Sequence, residues 1–248
     1  MARIARLYRS FVLFALPARA ARLLLGRRGR SIHPTARIGF SWIDVDRLEL
    51  GPKSFIGHFN LIRIQSLKLG PGGFILMLNR VRGPFDFEAG PNAGLGNSNT
   101  VRKLDSGSRP ARLSLGIWSK ITSRHHVDLT ESVTLGDYTT IAGAGSQIWT
   151  HGYVHAEEGL DRYRIDGPVT LGNNVYIGSM CFISMGVHIA DGVIVGGGAA
   201  VAKDLLEKGL YVSSTIRCLP RPPDPESHSG LERDDSIATE IVYRKVAP

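Results

Sequence analysis

Between Pro168 and Asp204 an aliphatic residue recurs every six positions without a slip: Leu171, Ile177, Ile183, Ile189, Val195 and Val201. A small residue follows each one: Gly172, Gly178, Ser184, Ala190, Gly196 and Ala202. Four positions after the first five aliphatics stand Val175, Cys181, Val187, Val193 and Ala199. An amphipathic helix repeats its apolar residues every ~3.6 positions and a half-buried strand every two, so neither carries this pattern as a lone element. Buried strands of an α/β domain would need helices of about ten residues between them, and there is no room for one between Leu171 and Val201. A period of six fits a solenoid whose flat sides are short strands. The aliphatic residue points inward onto its equivalent in the next coil, and the small residue sits where the chain turns. This is the signature of an all-β fold, a parallel β-helix built of hexapeptide repeats.

The repeat extends upstream. It starts faintly at Ile32 and Ile38, continues through Leu50, Ile56 and Ile62, and resumes after a slip at Leu69, Ile75 and Val81. Residues 83–110 lose it and are rich in Gly, Pro, Asn and Ser, which predicts an insertion or irregular coil. The phase returns at Leu115, Ile121 and Val127, slips, and runs through Leu135 and Ile141. It fails at Gln147 and returns at Leu171, so an excursion over 152–168 is expected to project from the solenoid. These boundaries divide the chain into an arm (1–30), a β-helix domain (31–212) and a C-terminal tail (213–248). In the tail, Pro220 to Gly230 reads as a linker and Ser236 to Lys245 as a short helix.

Charge sorts the possible partners. The net charge is +8, and residues 1–30 hold eight arginines and no acid. The body is therefore neutral, which removes the electrostatic support for nucleic-acid binding by the coils. The arm also carries Phe11, Val12, Leu13, Phe14, Leu16 and Leu23 to Leu25. This apolar run is too short to span a bilayer, and Pro17 breaks or kinks a helix there. Three readings fit it: a segment on an anionic membrane surface, at ~1 kcal/mol per basic residue near the lipid, an arm that is disordered or packs on the body, and a secretory signal with Ala18-Arg19-Ala20 before the cut. The chain has two cysteines. Cys181 holds an inward repeat position, so no disulfide framework is implied, and a reducing compartment is expected.

A β-helix has no internal cavity, so its chemistry must lie outside, under a loop or between neighbouring solenoids. His151 opens the excursion. A neutral imidazole can take a proton from a hydroxyl; a surface histidine without a role is the alternative.

Three phrases then follow in order: Gln147-Ile148-Trp149-Thr150-His151-Gly152, Gly167 through Gly178 (GPVTLGNNVYIG), and Val195 through Asp204 (VGGGAAVAKD). Together they resemble the hexapeptide-repeat O-acetyltransferases, the group that includes the galactoside, maltose and nodulation acetyltransferases and those that decorate bacterial surface polysaccharides. The resemblance covers Val127 to Lys203 well and the rest loosely. It implies a left-handed β-helix, against the usual right-handed crossover rule. It also implies a homotrimer with active sites between subunits, acetyl-CoA as donor, and no metal. The family's catalytic base falls on His151. Tyr176, Ser179, Gly197, Ala202 and Lys203 fall where the family lays the pantetheine arm and nucleotide: small residues admit the thin arm, and a lysine can meet a phosphate. Arg217 matches a basic residue of the family's closing phrase, although the glycine and proline of that phrase are missing. Asp128 falls near the family's acceptor-binding acid, with an exposed turn acid as the alternative. His125, His126 and Trp149 are candidate acceptor contacts.

The expected activity is acetyl transfer from acetyl-CoA to a hydroxyl of a sugar, such as a cell-surface polysaccharide or its precursor. It is placed in the cytoplasm, with residues 1–30 able to touch the inner face of the membrane. N-acyl transfer to an aminosugar uses the same base and stays open. So do a γ-carbonic-anhydrase-like metal site drawing on His125, His126, His151 and His155, and a non-catalytic scaffold.

Overall fold

The computed structural model describes residues 2–16, 20, 30–103, 109–155, 162–213, 217–219, 231–234 and 242–245. The solenoid is a left-handed parallel β-helix with three faces. Face one carries Phe85–Ala89, Ala111–Leu115, Val133–Leu135, Val169–Leu171 and His188–Ile189. Face two carries the two-residue strands from Arg37–Ile38 to Ile194–Val195 and is closed by Leu210–Val212. Face three carries Arg80–Arg82, Thr100–Arg102, His126–Asp128, Gln147–Ile148, Phe182–Ile183 and Ala200–Val201. The nine-residue strands Trp42–Leu50 and Leu61–Leu69 run around the corner between faces three and one and join them into one sheet.

The register explains the period. Leu171 stacks on Ile189, Ile177 on Val195 and Ile183 on Val201, one aliphatic from each face, eighteen residues apart. All six are at most 1% exposed. Each such side chain contributes roughly 1.5–3 kcal/mol on burial, and each rests on its equivalent ~4.8 Å away in the next coil. The outward neighbours alternate with them, as a strand requires.

The corner between faces two and three turns by the same device in seven coils. Phe59, Leu78, Ser98, Arg124 and Met180 hold a left-handed φ near 60° between faces two and three, and Gly145 and Gly198 take the same place in two further coils. A buried polar ladder stitches this corner. The Asn60 Oδ1 accepts from the Asn79 backbone N–H (2.9 Å), Asn79 Oδ1 from Asn99 N–H (2.9 Å), and Asn99 Oδ1 from His125 N–H (2.9 Å). His125 Nδ1 then accepts from Ser146 N–H at 3.1 Å, and Ser146 Oγ from Cys181 N–H at 3.1 Å. One rung therefore hands its hydrogen bond to the next, so buried polar groups are satisfied along the axis.

Two stretches differ from the sequence expectation. Residues 83–110 are mostly one ordinary coil, with Phe85, Phe87, Ala89, Ala93, Leu95 and Val101 buried. The pattern was hidden because Ala89 occupies the column of Leu69 and Leu115, while Phe85 and Phe87 carry the bulk. Only 104–108 lie outside the described residues. The coil also does not stop at Gln147, since Ile148 continues the inward column between Val127 and Ile183. The excursion is an antiparallel hairpin of His151–His155 and Arg162–Asp166. In the tail, Val242–Lys245 is a strand paired with Leu231–Asp234 and not part of a helix.

The arm's first part is a helix, Ala2–Ala15, ending before Pro17. Val12 and Leu13 are buried against the first coil, and the Phe14 ring meets Phe40 at 6.2 Å and Trp42 at 6.5 Å. The helix thus covers the open end of the core. No helix among the described residues is long and apolar enough to cross a membrane.

Candidate active site

The corner between faces three and one is where the coils let chain out. At this corner Val127 pairs with Ile148, so Asp128 lies one coil below Trp149 and Thr150, and the hairpin begins at His151. Asp128 is 1% exposed. Its Oδ2 accepts from Thr150 Oγ1 at 2.7 Å and from His151 Nδ1 at 2.8 Å. The backbone N–H groups of Thr130 (3.2 Å) and Thr150 (3.3 Å) add two longer bonds. Burial pushes this carboxyl up, but the hydrogen bonds from Thr150, His151 and Thr130 outweigh it and hold it below its ordinary value.

An ionised carboxylate only accepts, so the hydrogen-bonded proton sits on His151 Nδ1. The Nε2 atom of the neutral ring is then the basic one. The Thr130 hydroxyl stands 3.1 Å from the same Nδ1 and fixes the ring further. The imidazole is 11% exposed, with Trp149 edge-on at 5.7 Å and Tyr153 edge-on at 5.9 Å. His126 stacks on Trp149 at 5.0 Å, and Trp149 Nε1 donates to Gln147 Oε1 at 2.9 Å. Burial lowers the His126 pKa.

The residues expected from sequence separate into groups. His151, Asp128, Trp149 and His126 come together at one corner, joined by Thr130 and Thr150. Asp128 is no exposed turn acid: it is buried and holds the histidine. His125 is a ladder residue, 2% exposed, with Nδ1 taken by Ser146 and Nε2 3.0 Å from the Thr122 hydroxyl. A ring so engaged cannot reach an acceptor, and burial lowers its pKa. Ala202 and Lys203 are exposed on the same corner as His151, two coils further along, where Trp149, Ser184 and Ala202 follow one another. Ser179 and Gly197 lie across face three, on the corner between faces two and three, and Gly198 N–H donates to Ser179 C=O at 2.8 Å. Gly143 completes this column with φ +67°; a Cβ on it would sit 1.7 Å from Ser179 Oγ. Tyr176 is exposed on face two. Arg217 opens a strand antiparallel to Leu210–Val212. Among the described residues, no cluster of three His, Cys, Asp or Glu side chains is disposed to hold a metal.

Sequence reasoning missed Thr130 and Thr150 as partners of the pair. The signal was available: placing Val127 under Ile148 in the repeat register sets Asp128 beneath Trp149-Thr150-His151.

The sequence is similar to that of one O-acetyltransferase over part of its length. It is 33% identical over 97 residues to the galactoside O-acetyltransferase of Escherichia coli K12, a match covering 39% of this chain and 48% of that protein. The chain thus spans about half the length of the relative it matches. No family model matches the chain. Among solved structures, the polysialic-acid-specific acetyltransferase NeuO superposes with a TM-score of 0.49 at 14% identity, over 79% of this chain and 88% of that one. The galactoside acetyltransferase in complex with coenzyme A superposes with a TM-score of 0.41 at 23% identity, over 52% and 68%.

Proposed function

We propose that this protein transfers the acetyl group of acetyl-CoA to a hydroxyl of a sugar or glycan. One observation carries the reading: a histidine whose Nδ1 is held by a buried, hydrogen-bonded carboxylate, leaving Nε2 as the base at an exposed corner. His151 Nε2 takes the hydroxyl proton as the oxygen attacks the thioester carbonyl. Asp128 stabilises the imidazolium that forms. The tetrahedral oxyanion needs a donor, most simply a backbone N–H near Ser179. The carbon–sulfur bond then breaks, and the imidazolium returns its proton to the thiolate.

Ser179, Gly197 and Tyr176 lie away from His151 within one chain, which supports a homotrimer in which a neighbouring solenoid brings its small-residue corner to this histidine. The column of Gly143, Ser179 and Gly197 has the narrow, exposed backbone that a pantetheine arm needs, and Lys203 is exposed and can meet a phosphate. Leu7, Tyr8 and Phe11 are exposed on the N-terminal helix, which suits contact with a membrane surface on the cytoplasmic side.

The test is release of CoA from acetyl-CoA against a panel of sugars and cell-surface glycans. His151→Ala should lower turnover by roughly 10²–10⁴ with CoA affinity close to wild type. Near-normal transfer by this variant removes His151 from the mechanism.

A further inference from the structure

The coils next to the His151 corner hold a groove of about 1020 Å³ whose lining includes Arg63, Arg80, Arg82, Arg102, Lys103 and, from the N-terminal helix, Leu7. The strand register aligns its charges. Asp44, Arg63, Arg82, Arg102 and Asp128 follow one another in a single outward column, each directly over the last. Arg63 is paired with Asp44 at 3.3 Å. At the other end Asp128 is buried and engaged with His151. Between them, Arg82 and Arg102 stack like on like about 4.8 Å apart, with Arg80 beside them in the neighbouring column. Like charges placed directly opposite on adjacent strands oppose folding, and none of these three has an ion-pair partner among the described residues. Asp44 and Asp46 lie in the groove's lining at the first coil, so the unpaired positive charge is concentrated on the His151 side.

A chain of contacts joins the wall of the groove to the histidine. Lys103 is 6% exposed, and its Nζ donates to the Thr130 carbonyl at 2.8 Å. Thr130 in turn touches His151 Nδ1. Arg102 is one rung from Asp128.

We propose that this groove binds the anionic part of the acceptor, a glycan carrying carboxylate or phosphate groups along its chain, and so presents the adjoining hydroxyl to His151. The inference rests on the acyl-transfer reading for the word acceptor. The binding itself rests only on the groove. Stacked arginines spaced by one rung suit successive anions on an extended chain, and each guanidinium can take an oxyanion in two parallel bonds.

The test is calorimetric titration of the full chain with three probes: trigalacturonic acid, its methyl ester, and inorganic pyrophosphate. The acid form, pyrophosphate or both should bind, more weakly as salt rises, and the neutral ester should not. Which of them binds distinguishes a carboxylated glycan from a phosphate-linked one. The double variant Arg82→Gln with Arg102→Gln should lose about tenfold or more in affinity, and the Lys pair should recover part of it. Both sites are on the surface, and an unchanged melting temperature establishes that the variants are folded. Equal binding of ester and acid, no binding by either anion, or an unchanged affinity in the Gln variant overturns the inference. Acetyl transfer to neutral sugars without any anion affinity overturns it too, while leaving the proposed function standing. Anion affinity in a wild-type protein that transfers no acetyl group does the converse.

Discussion

The strongest chemical prediction concerns Asp128→Asn. The asparagine is isosteric with the buried carboxylate. Its Oδ1 can keep the donors that now converge on Oδ2 from His151, Thr150 and Thr130. Its amide can face Thr130 Oγ1, which now donates to Oδ1 at 3.3 Å and can rotate to accept. The fold and the ring position should therefore survive, and what is lost is a negative charge beside a ring that becomes positive in the transition state. Two unit charges about 4 Å apart at an effective dielectric of about 20 interact by about 4 kcal/mol. At ~1.36 kcal/mol per decade, that bounds the loss at roughly 10³ in kcat. The assay is steady-state CoA release with acetyl-CoA varied at saturating acceptor, together with a thermal melt. kcat should fall by about 10²–10³, and the KM for acetyl-CoA should stay within about twofold, because the carboxylate is sealed from the donor. A folded Asn variant with near-wild-type kcat would refute the argument that the pair acts through charge. A fall confined to KM would show that Asp128 serves binding instead.

Three further outcomes follow from the coils. His125→Asn should fold, since asparagine fills the same ladder place in three earlier coils. Burial lowers the pKa of His125, so the unfolded chain binds a proton that the folded chain refuses as pH falls below ~6.5. Stability contributed by the neutral ring is full above that pH and is lost below it, and urea melts between pH 7 and 5 should lose part of this slope in the variant. Leu13→Ala should cost ~2–5 kcal/mol in chemical denaturation, because Leu13 is 1% exposed and caps the first coil. Gly143→Ala should cost ~1–2 kcal/mol for its left-handed φ alone and push Ser179 aside; a raised KM for acetyl-CoA with little change in kcat is the expected kinetic result.

The period of six was enough to read the solenoid, because the inward columns depend only on which residues are aliphatic. It failed where volume was redistributed within a layer. Ala89 in a leucine column, compensated by Phe85 and Phe87, left only a faint hexapeptide trace, Ala89, Leu95 and Val101, although the coil is regular. His151 and the hairpin that it opens could be located by the break in phase, while its partner needed the register of Val127 under Ile148. Asp128 looked like any turn acid because Thr150 and His151, which engage it, come from the next coil. His125 and His126 look alike in sequence, yet adjacent strand residues face opposite ways at a corner. One became a rung of the ladder and the other stacks on Trp149. The helix at the N-terminus was legible as apolar and basic, but that its apolar side would cover the end of the core depends on the shape of the first coil.

The corner between faces three and one has a consequence for how this chain can diversify. The His151 hairpin leaves there and returns without disturbing the columns on either side, since Leu135 still stacks on Leu171 across it. A hairpin of another length or sequence leaving at His151 would meet the same tolerance, whereas a single residue inserted within a face would turn its inward side chain to solvent. The corner is therefore a port through which new recognition loops can be added beside the same histidine, with the solenoid acting as a fixed spindle.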